Sequence, residues 1–139
     1  RMVQEGHIVG NHTWHHYNMS QIADLQSFTR ELQSVADAYR EATGEEMPPY
    51  YRPPQGVYSE ENLRMAKELG YKTVFWSYAY KDWDPNNQMG PENALPKITK
   101  ALHPGAIYLL HAVSPDNAAI LGDFIDNARE AGYNFALFQ

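Results

Sequence analysis

The sequence predicts an α/β fold, in which helices alternate with the strands of a parallel sheet. Short apolar, β-prone runs alternate along the chain with longer stretches whose apolar residues recur at steps of three and four. Serine, aspartate or proline opens most of these stretches and glycine closes them, as at the ends of helices. Strict alternation is typical of right-handed βαβ units, which form parallel sheets. We expect five strands and four full helices.

Composition and charge describe a globular chain. The 139 residues are 43% hydrophobic, 13% aromatic and 20% charged, as expected for one domain with a packed core. The formal net charge of -6 gives no general attraction to the phosphates of nucleic acid. No apolar run in the sequence reaches the length of a membrane span. Cysteine is absent, which excludes disulfides and thiol chemistry within these residues.

The chain opens on what we expect to be the last turn of a helix, over residues 1 to 6, with Gly6 just after the C-cap. Because the sequence begins in mid-element, we expect an upstream portion of the protein, with any targeting signal, to be missing from it. The short apolar run before His12 is expected to be the first buried strand.

The first full helix carries its apolar residues on one face and ends near Gly44. Ser20, Asp24 and Ser27 are each a candidate for its N-cap. A short strand over residues 50 to 52 follows, and two prolines that cannot donate to a sheet cut it off. The apolar helix positions are Ile22, Leu25, Phe28, Leu32, Val35 and Tyr39.

Ser59 opens the second helix, because a serine cap and two glutamates in the first turn favour the positive end of the helix dipole. This helix is expected to end at Gly70. Residues 73 to 76 form an apolar run that we expect to be a buried strand. A long polar loop over residues 80 to 91 then precedes a short helix that begins at Pro91.

Residues 106 to 110 are the next expected strand, which has His111 at its carboxyl end. Ser114 caps the last helix, with proline at the first helical position, and the helix is expected to run to Gly132. Residues 133 to 137 are the last expected strand.

Polar side chains that packing does not explain lie at the carboxyl ends of four successive expected strands. His12 and His16 follow the first, Arg52 ends the second, Asp82 and Trp83 follow the third, and His111 ends the fourth. In parallel α/β folds this edge carries the active site. His12 and His16 stand four residues apart, a spacing at which two imidazoles can bind one metal ion.

Each of these residues has a simpler explanation when taken alone. Histidine pairs four residues apart are common, and His7 and His15 beside them are surface or packing residues on this interpretation. A lone His111 is more often a buried histidine with satisfied hydrogen bonds, and a lone Asp82 is more often a turn residue. Aromatic residues are dense around the expected site, but we expect only Trp83 to line it.

Four short motifs follow one another in a fixed order. They are Asn11-His12-Thr13-Trp14-His15-His16, Arg52-Pro53-Pro54-Gln55-Gly56, Asp82-Trp83 and Leu109-Leu110-His111. In this order they resemble four motifs of the polysaccharide deacetylases, the NodB-type carbohydrate esterases, and the similarity runs over essentially the whole chain. Within that family the chain looks most like the bacterial muramic-acid deacetylases of the spore-cortex δ-lactam pathway. The residues that carry this finer resemblance are Arg52 to Tyr58, Val74-Phe75-Trp76-Ser77, Leu109-Leu110-His111-Ala112 and Asp116-Asn117-Ala118.

The resemblance implies a metal site. In this family a divalent metal, commonly zinc, is held by the histidines that match His12 and His16 and by an aspartate of an upstream motif, Thr-Phe-Asp-Asp-Gly. Three protein ligands leave a position open for water, which the ion makes nucleophilic near neutral pH. The second aspartate of that motif is the general base, and the resemblance implies that Arg52 orients it.

The resemblance also implies roles for residues later in the chain. His111 matches the general acid that protonates the leaving amine, and Asp82 matches the carboxylate that keeps the imidazolium populated. Trp83 and Leu109 are expected to wall a small apolar slot for the acetyl methyl group. The backbone N–H of Gln55 is expected to help the metal stabilise the tetrahedral oxyanion.

One family motif is absent. No Thr-Phe-Asp-Asp-Gly and no Asp-Asp pair occurs in residues 1 to 139, and Ala79 stands where some relatives carry a further aspartate. We therefore expect residues 1 to 139 to be the C-terminal portion of a polysaccharide deacetylase catalytic domain. Its fold is expected to be a distorted (β/α)7 barrel that here lacks its N-terminal strands. This portion alone is expected to be inactive and poor in metal.

The expected function is metal-dependent removal of the N-acetyl group from an amino sugar in a cell-wall polysaccharide, with release of acetate. Peptidoglycan N-acetylmuramic acid is favoured as the substrate, and N-acetylglucosamine polymers come next. The alternatives are a catalytically inactive carbohydrate-binding relic and a metal-dependent hydrolase of another C–N amide bond. A glycan substrate in the cell wall implies an extracytoplasmic protein, and no nucleic-acid partner is expected.

Overall fold

The computed structural model describes residues 1 to 137, which fall into two compact units, Arg1–Phe75 and the part that begins at Trp76. The helices are α1 (Leu25–Thr43), α2 (Glu60–Glu68), α3 (Pro91–Lys100) and α4 (Pro115–Glu130), with 3-10 turns at Met19–Gln21 and Pro54–Gly56. The strands are β1 (Tyr50–Tyr51), β2 (Lys72–Thr73), β3 (Tyr78–Ala79) and β4 (Tyr108–Leu109). No helix within residues 1 to 137 is long and apolar enough to cross a membrane.

The helix starts follow local capping chemistry. Of the three candidates for α1, Asp24 is the N-cap, and its side chain accepts the Ser27 N–H at 2.7 Å. Ser59 caps α2, and Ser114 caps α4, as predicted. At the other end of α1, Gly44 adopts φ 76°, which a glycine reaches without the penalty that a side chain brings. The predicted helices are therefore all present.

The first unit contains a small parallel sheet. β1 pairs with β2 in parallel, with Tyr50 opposite Lys72 and Tyr51 opposite Thr73. Asn11 extends the sheet by one parallel bridge to Tyr51, because its N–H donates to the Tyr50 carbonyl at 2.7 Å and its carbonyl accepts the Arg52 N–H at 2.9 Å. The prediction of a full strand before His12 is wrong: within the described residues only Asn11 of this segment joins the ladder.

The core of the first unit joins its two helices to this sheet. The buried side chains are Met19, Phe28, Leu32, Tyr51, Met65 and Ala66, and Ile22, Leu69 and Tyr71 pack against them. Phe28 and Tyr51 meet edge to face with their ring centroids 5.9 Å apart, which fixes α1 on β1. This packing places the residues that follow Asn11 beside the N-terminal half of α1, where His15 bonds to Glu31.

The second unit has its own parallel pair, β3 and β4, with Tyr78 opposite Tyr108 and Ala79 opposite Leu109. Its helices α3 and α4 pack against this pair. The buried side chains are Tyr80, Ala94, Ile98, Ile120 and Phe124. The loop after β3 and the loop after β4 therefore leave the sheet side by side.

The α/β class and the parallel pairing are confirmed, but the strand count and lengths are not. The ladder predicted over residues 73 to 76 is instead Lys72–Thr73, and β3 begins only at Tyr78. Residues 133 to 137 are not a strand: the Tyr133 N–H bonds to the Ala128 carbonyl at 3.0 Å, at the C-terminal end of α4. Four two-residue strands and one bridge replace the five predicted strands, and no closed barrel is formed by the described residues.

Candidate functional site

Residues 11 to 16 form a loop that contains three histidines, and Asn11, the first residue of this loop, fixes it to helix α1. Asn11 is buried, and its Nδ2 donates to the Leu32 carbonyl at 2.8 Å. Its Oδ1 accepts the Thr13 N–H at 3.0 Å, which folds the loop back on itself. The side chain that opens the motif thus determines where His12 leaves the sheet.

His12 and His16 lie close together on this loop. Their ring centroids are 5.0 Å apart, and the ring planes meet at 80°. The His12 Nδ1 lies 2.6 Å from the Arg52 carbonyl, and since a carbonyl only accepts, Nδ1 carries the proton and the lone pair of a neutral ring is on Nε2. This hydrogen bond is of the kind that orients metal-binding histidines in proteins.

The backbone of the loop is strained to bring the two rings together. Thr13 and His16 both have positive φ, 67° and 57°, a region that non-glycine residues rarely adopt. The Thr13 Oγ1 accepts the His16 N–H at 3.1 Å and holds this turn. Such strain is concentrated at functional sites, so it supports a role for the pair rather than a chance spacing.

His15 faces away from this pair. Its backbone N–H and its Nδ1 both donate to Glu31, at 2.9 and 2.7 Å, and its ring stacks on Tyr17 with centroids 5.0 Å apart. Burial by itself would raise the pKa of Glu31, but the hydrogen bonds from His15 lower that pKa below its usual value. His7 is exposed beside Glu5. These two histidines therefore have packing or surface contacts, in line with the simpler interpretation of them.

Arg52 lies directly after β1, and its backbone carbonyl accepts the hydrogen bond from the His12 Nδ1–H. Its guanidinium is half-buried, and burial lowers its pKa below the usual value. No carboxylate among residues 1 to 137 lies within ion-pair distance of it. A half-buried cation of this kind is suited to an anionic group that the described residues do not supply.

Gln55 lies in the turn Pro54–Gly56 with φ 59° and ψ 0°. The Gly56 and Val57 N–H groups bond to the Pro53 and Pro54 carbonyls. Within the described chain the Gln55 N–H has no hydrogen-bond acceptor, and its side chain is exposed. An N–H without an acceptor at a strained turn can donate to a ligand oxygen.

The donor set around His12 fits part of a metal site. Two neutral imidazoles are suitable zinc ligands, and the Arg52 carbonyl orients one of them. Residues 1 to 137 contain no group of three or more histidine or acidic side chains that could hold an ion together. The described residues therefore offer two candidate ligands, one fewer than the three protein ligands of a typical catalytic zinc site.

The second unit brings Asp82 and His111 into direct contact. Asp82, three residues after β3, is fully buried, and His111 follows β4 by two residues. The His111 Nδ1–H donates to the Asp82 Oδ1 at 2.7 Å, and the His111 backbone N–H donates to Oδ2, also at 2.7 Å. The ring is one-third exposed, so its Nε2 edge can reach a ligand. This is the arrangement of a histidine acid or base oriented by a carboxylate.

Trp83 and Leu109 border this pair. Trp83 is 55% exposed, and its ring centroid lies 6.2 Å from that of His111. Leu109 is the last residue of β4 and is half-buried. Both can present apolar surface next to the histidine.

Sequence reasoning did not assign a function to Asn117, which joins the Asp82–His111 pair from helix α4. Its Nδ2 donates to the Asp82 Oδ2 at 2.6 Å and to the His111 carbonyl at 3.1 Å. Asn117 belongs to the stretch Asp116-Asn117-Ala118 that resembles the muramic-acid deacetylases but not to the four ordered motifs, and its contact with Asp82 spans 35 residues. A polar residue in the first turn of a helix usually indicates a cap, and here Ser114 already caps α4.

Comparison with known proteins finds the same fold. The sequence pattern of the family described as Polysaccharide deacetylase matches residues 1–74. The peptidoglycan N-acetylmuramic acid deacetylase PdaA of Bacillus subtilis is 48% identical over 135 residues, which are 97% of this chain and 51% of that protein. The solved structure of PdaA, described as a family 4 carbohydrate esterase, has a TM-score of 0.92 and 47% identity, over 97% of this chain and 57% of that one.

A second solved structure belongs to a protein described as a pseudoenzyme of the same esterase family, from Bacillus anthracis. It has a TM-score of 0.84 and 26% identity, over 96% of this chain and 45% of that one. The chain spans about half the length of the curated relatives it matches.

Proposed function

This chain belongs to the polysaccharide deacetylase family, and from that premise we propose that the protein hydrolyses the N-acetyl group of an amino sugar in a cell-wall polysaccharide. The observation that carries this proposal is the buried Asp82 carboxylate bound to His111, since it provides a proton donor for a leaving amine. The products are acetate and a free sugar amine.

Peptidoglycan N-acetylmuramic acid is the substrate that we favour. The support is the identity of 48% with a protein named for that activity, over nearly the whole chain. N-acetylglucosamine polymers come next, because relatives named for those substrates are 28 to 32% identical. A cell-wall substrate also leads us to propose that the protein acts outside the cytoplasm.

His111 carries the proton of this reaction. Water adds to the acetyl carbonyl and gives one proton to the general-base aspartate. The C–N bond then breaks, the amine nitrogen takes a proton from the Nε2 of a doubly protonated His111, and the proton on the base returns to His111 through solvent. Asp82 accepts the His111 Nδ1–H throughout the reaction, so the ring keeps its orientation. The negative charge of Asp82 balances the positive charge of the ring until the Nε2 proton is transferred. The carboxylate is fully buried, which excludes water from this contact.

His12 and His16 would hold the metal ion of this family, and zinc is the ion that best suits two neutral imidazoles. A bound divalent ion supplies Lewis-acid chemistry, making water nucleophilic near neutral pH and polarising the acyl oxygen. The Arg52 carbonyl keeps the His12 tautomer that presents Nε2 as a ligand. We assign the third ligand and the general base to aspartates outside residues 1 to 139.

The remaining site residues contact the substrate or orient the general base. The half-buried Arg52 guanidinium, which has no carboxylate partner in residues 1 to 137, orients the base aspartate through a charge-assisted hydrogen bond. The Gln55 N–H donates to the developing oxyanion. Trp83 and Leu109 wall the slot for the acetyl methyl group.

We also propose that residues 1 to 139 are the C-terminal portion of the catalytic domain. Relatives about twice as long support this, as does their structural similarity over nearly all of this chain. On this proposal the remaining strands complete a distorted (β/α)7 barrel.

The test measures acetate release and bound metal on the complete, zinc-reconstituted protein. Muramyl glycan and chitooligosaccharide are assayed side by side, with His12→Ala and His111→Ala as variants. We expect both variants to lose acetate release and only His12→Ala to lose metal. If neither glycan releases acetate and the unmodified protein binds no metal, the proposed enzymatic function is contradicted.

A carbohydrate-binding relic of the same fold is the second candidate. The similarity to a protein described as a pseudoenzyme of this family favours it. An intact Asp-Asp pair in the upstream sequence supports the enzyme, and its replacement supports the relic. A hydrolase of a different C–N amide bond is the remaining alternative, and acetate release from neither glycan, despite bound metal, favours it.

A further inference from the structure

A buried amide links the Asp82–His111 pair to the first turn of helix α4. Asn117 is 7% exposed, and its Nδ2 donates one hydrogen bond to the Asp82 Oδ2 at 2.6 Å and another to the His111 carbonyl at 3.1 Å. Both protons of the amide are therefore used on the two residues of the pair. The backbone N–H of Asn117 is held separately by the Ser114 Oγ at 3.1 Å.

The contacts determine which way the Asn117 amide points. A carboxylate and a carbonyl oxygen only accept hydrogen bonds, so the NH2 group must face Asp82 and His111. On its other side the Oδ1 accepts the hydroxyl of the buried Tyr80 at 2.5 Å. These three partners, two on the segment after β3 and one after β4, leave the amide no alternative rotamer that keeps these bonds.

Asp82 depends on this amide for the one donor that His111 does not supply. The fully buried carboxylate receives three N–H groups: the Nδ1–H and backbone N–H of His111, and the Nδ2–H of Asn117. Two of these donors belong to His111, the residue whose ring has to be oriented, so they cannot fix the carboxylate independently of that residue. Asn117 is on a helix, so it provides the fixed reference for the plane of the carboxylate.

We propose that Asn117 is a positioning residue for His111: from helix α4 it fixes the Asp82 carboxylate and the His111 backbone together, so that the ring is held ready to transfer a proton. The kinetic consequence rests on the proposed deacetylase function. The structural consequence, a rigid Nδ1–H bond to Asp82, does not depend on that function.

The decisive variant is Asn117→Asp, which keeps the size of the side chain and replaces its donor by an oxygen that faces the Asp82 carboxylate. Its matched control is Asn127→Asp on the same helix, where within residues 1 to 137 the side-chain amide forms a single hydrogen bond, to the Thr99 Oγ1 at 3.5 Å. In the complete protein we expect Asn117→Asp to lower kcat about 10- to 100-fold with KM changed less than about twofold. Asn127→Asp is expected to leave both unchanged.

A spectroscopic measurement tests the same contact without any substrate. In NMR spectra of the complete protein we expect the His111 Nδ1–H to exchange with water at least about tenfold faster in Asn117→Asp than in the unmodified protein. A purely structural role for Asn117 lowers the thermal unfolding midpoint but leaves this exchange and kcat unchanged. Unchanged ring exchange in a folded Asn117→Asp protein overturns the proposal.

Tyr80→Phe keeps the inference testable if Asn117→Asp does not fold. It removes the hydroxyl that orients the amide and leaves the Asn117 donor in place. We expect a smaller decrease in kcat and faster His111 Nδ1–H exchange, and no change in either overturns the proposal. If the unmodified protein releases no acetate, the proposed function fails, while ring exchange still decides the role of Asn117.

Discussion

His111 donates two hydrogen bonds to the two oxygens of a single carboxylate, that of Asp82: one from its ring Nδ1–H and one from its backbone N–H, each at 2.7 Å. The carboxylate is fully buried, and the imidazole is one-third exposed. The contact therefore fixes both the position of the residue and the orientation of its ring. It also leaves the opposite ring nitrogen for chemistry.

Asp82→Asn tests this contact. An amide has one acceptor oxygen, so it cannot accept from all three N–H groups that Asp82 binds, and one of them faces an NH2 group instead. We expect kcat of the complete protein to fall by about 10²- to 10⁴-fold and the thermal unfolding midpoint to decrease. Asp123→Asn, at an exposed position of α4, is the control. A kcat close to that of the unmodified protein contradicts the assigned role of Asp82.

His12→Ala and His16→Ala test the metal site. Each removes one of the two imidazoles that the chain supplies, so we expect zinc affinity of the complete protein to fall by more than about 100-fold, measured by calorimetry. His7→Ala is the matched control, because its side chain is exposed beside Glu5. Equal zinc affinity in all three variants places the metal elsewhere.

Arg52→Lys separates orientation of the base from metal binding. Lysine keeps the positive charge but lacks the planar fork that pairs with a carboxylate in two places. We expect kcat to fall about 10- to 100-fold while the zinc content of the complete protein remains unchanged, since the Arg52 carbonyl that orients His12 belongs to the backbone. Arg30→Lys, at an exposed position of α1, should have no effect. Loss of zinc from Arg52→Lys would show that its guanidinium supports the metal site instead.

Glu31 gives the stability of the chain a dependence on pH. Hydrogen bonds from His15 outweigh burial and lower the pKa of this carboxyl below its usual value of 4.5. A carboxyl whose pKa is lower in the folded chain stabilises the fold above its unfolded pKa, and that contribution is lost as the pH falls through the folded pKa. We therefore expect the free energy of unfolding to decrease as the pH falls below about 4.5.

Glu31→Gln removes this dependence. The amide cannot be deprotonated, so we expect the variant to be less stable by about 2 kcal/mol near neutral pH and to lose less stability on acidification. Urea unfolding of the complete protein at neutral and acidic pH measures both quantities. Glu41→Gln, at an exposed position of the same helix, is the control. An equally steep acid dependence in Glu31→Gln and the unmodified protein would assign the effect to other carboxyls.

The helix starts could be predicted because their chemistry is local. Ser59 and Ser114 each accept an N–H three residues along the chain, so the signal lies within one turn of sequence. The sequence offers three candidates for the N-cap of α1, and the structure shows that the N-cap is Asp24. The ends of the strands are harder to predict from sequence, because a strand forms only where a second segment offers its backbone for hydrogen bonding. Residues 133 to 137 have no such partner in the described chain.

The sequence by itself determined the α/β class, the four helices, the family and the residue types at the ends of the strands, because each of these depends on short-range spacing or on ordered motifs. Only the tertiary structure decided that His15 turns to Glu31 while His12 turns to Arg52, and that Asn117 reaches Asp82. These contacts join residues 16 to 40 positions apart. No local periodicity encodes a side-chain hydrogen bond across such a distance, since it forms only when packing brings the two segments together.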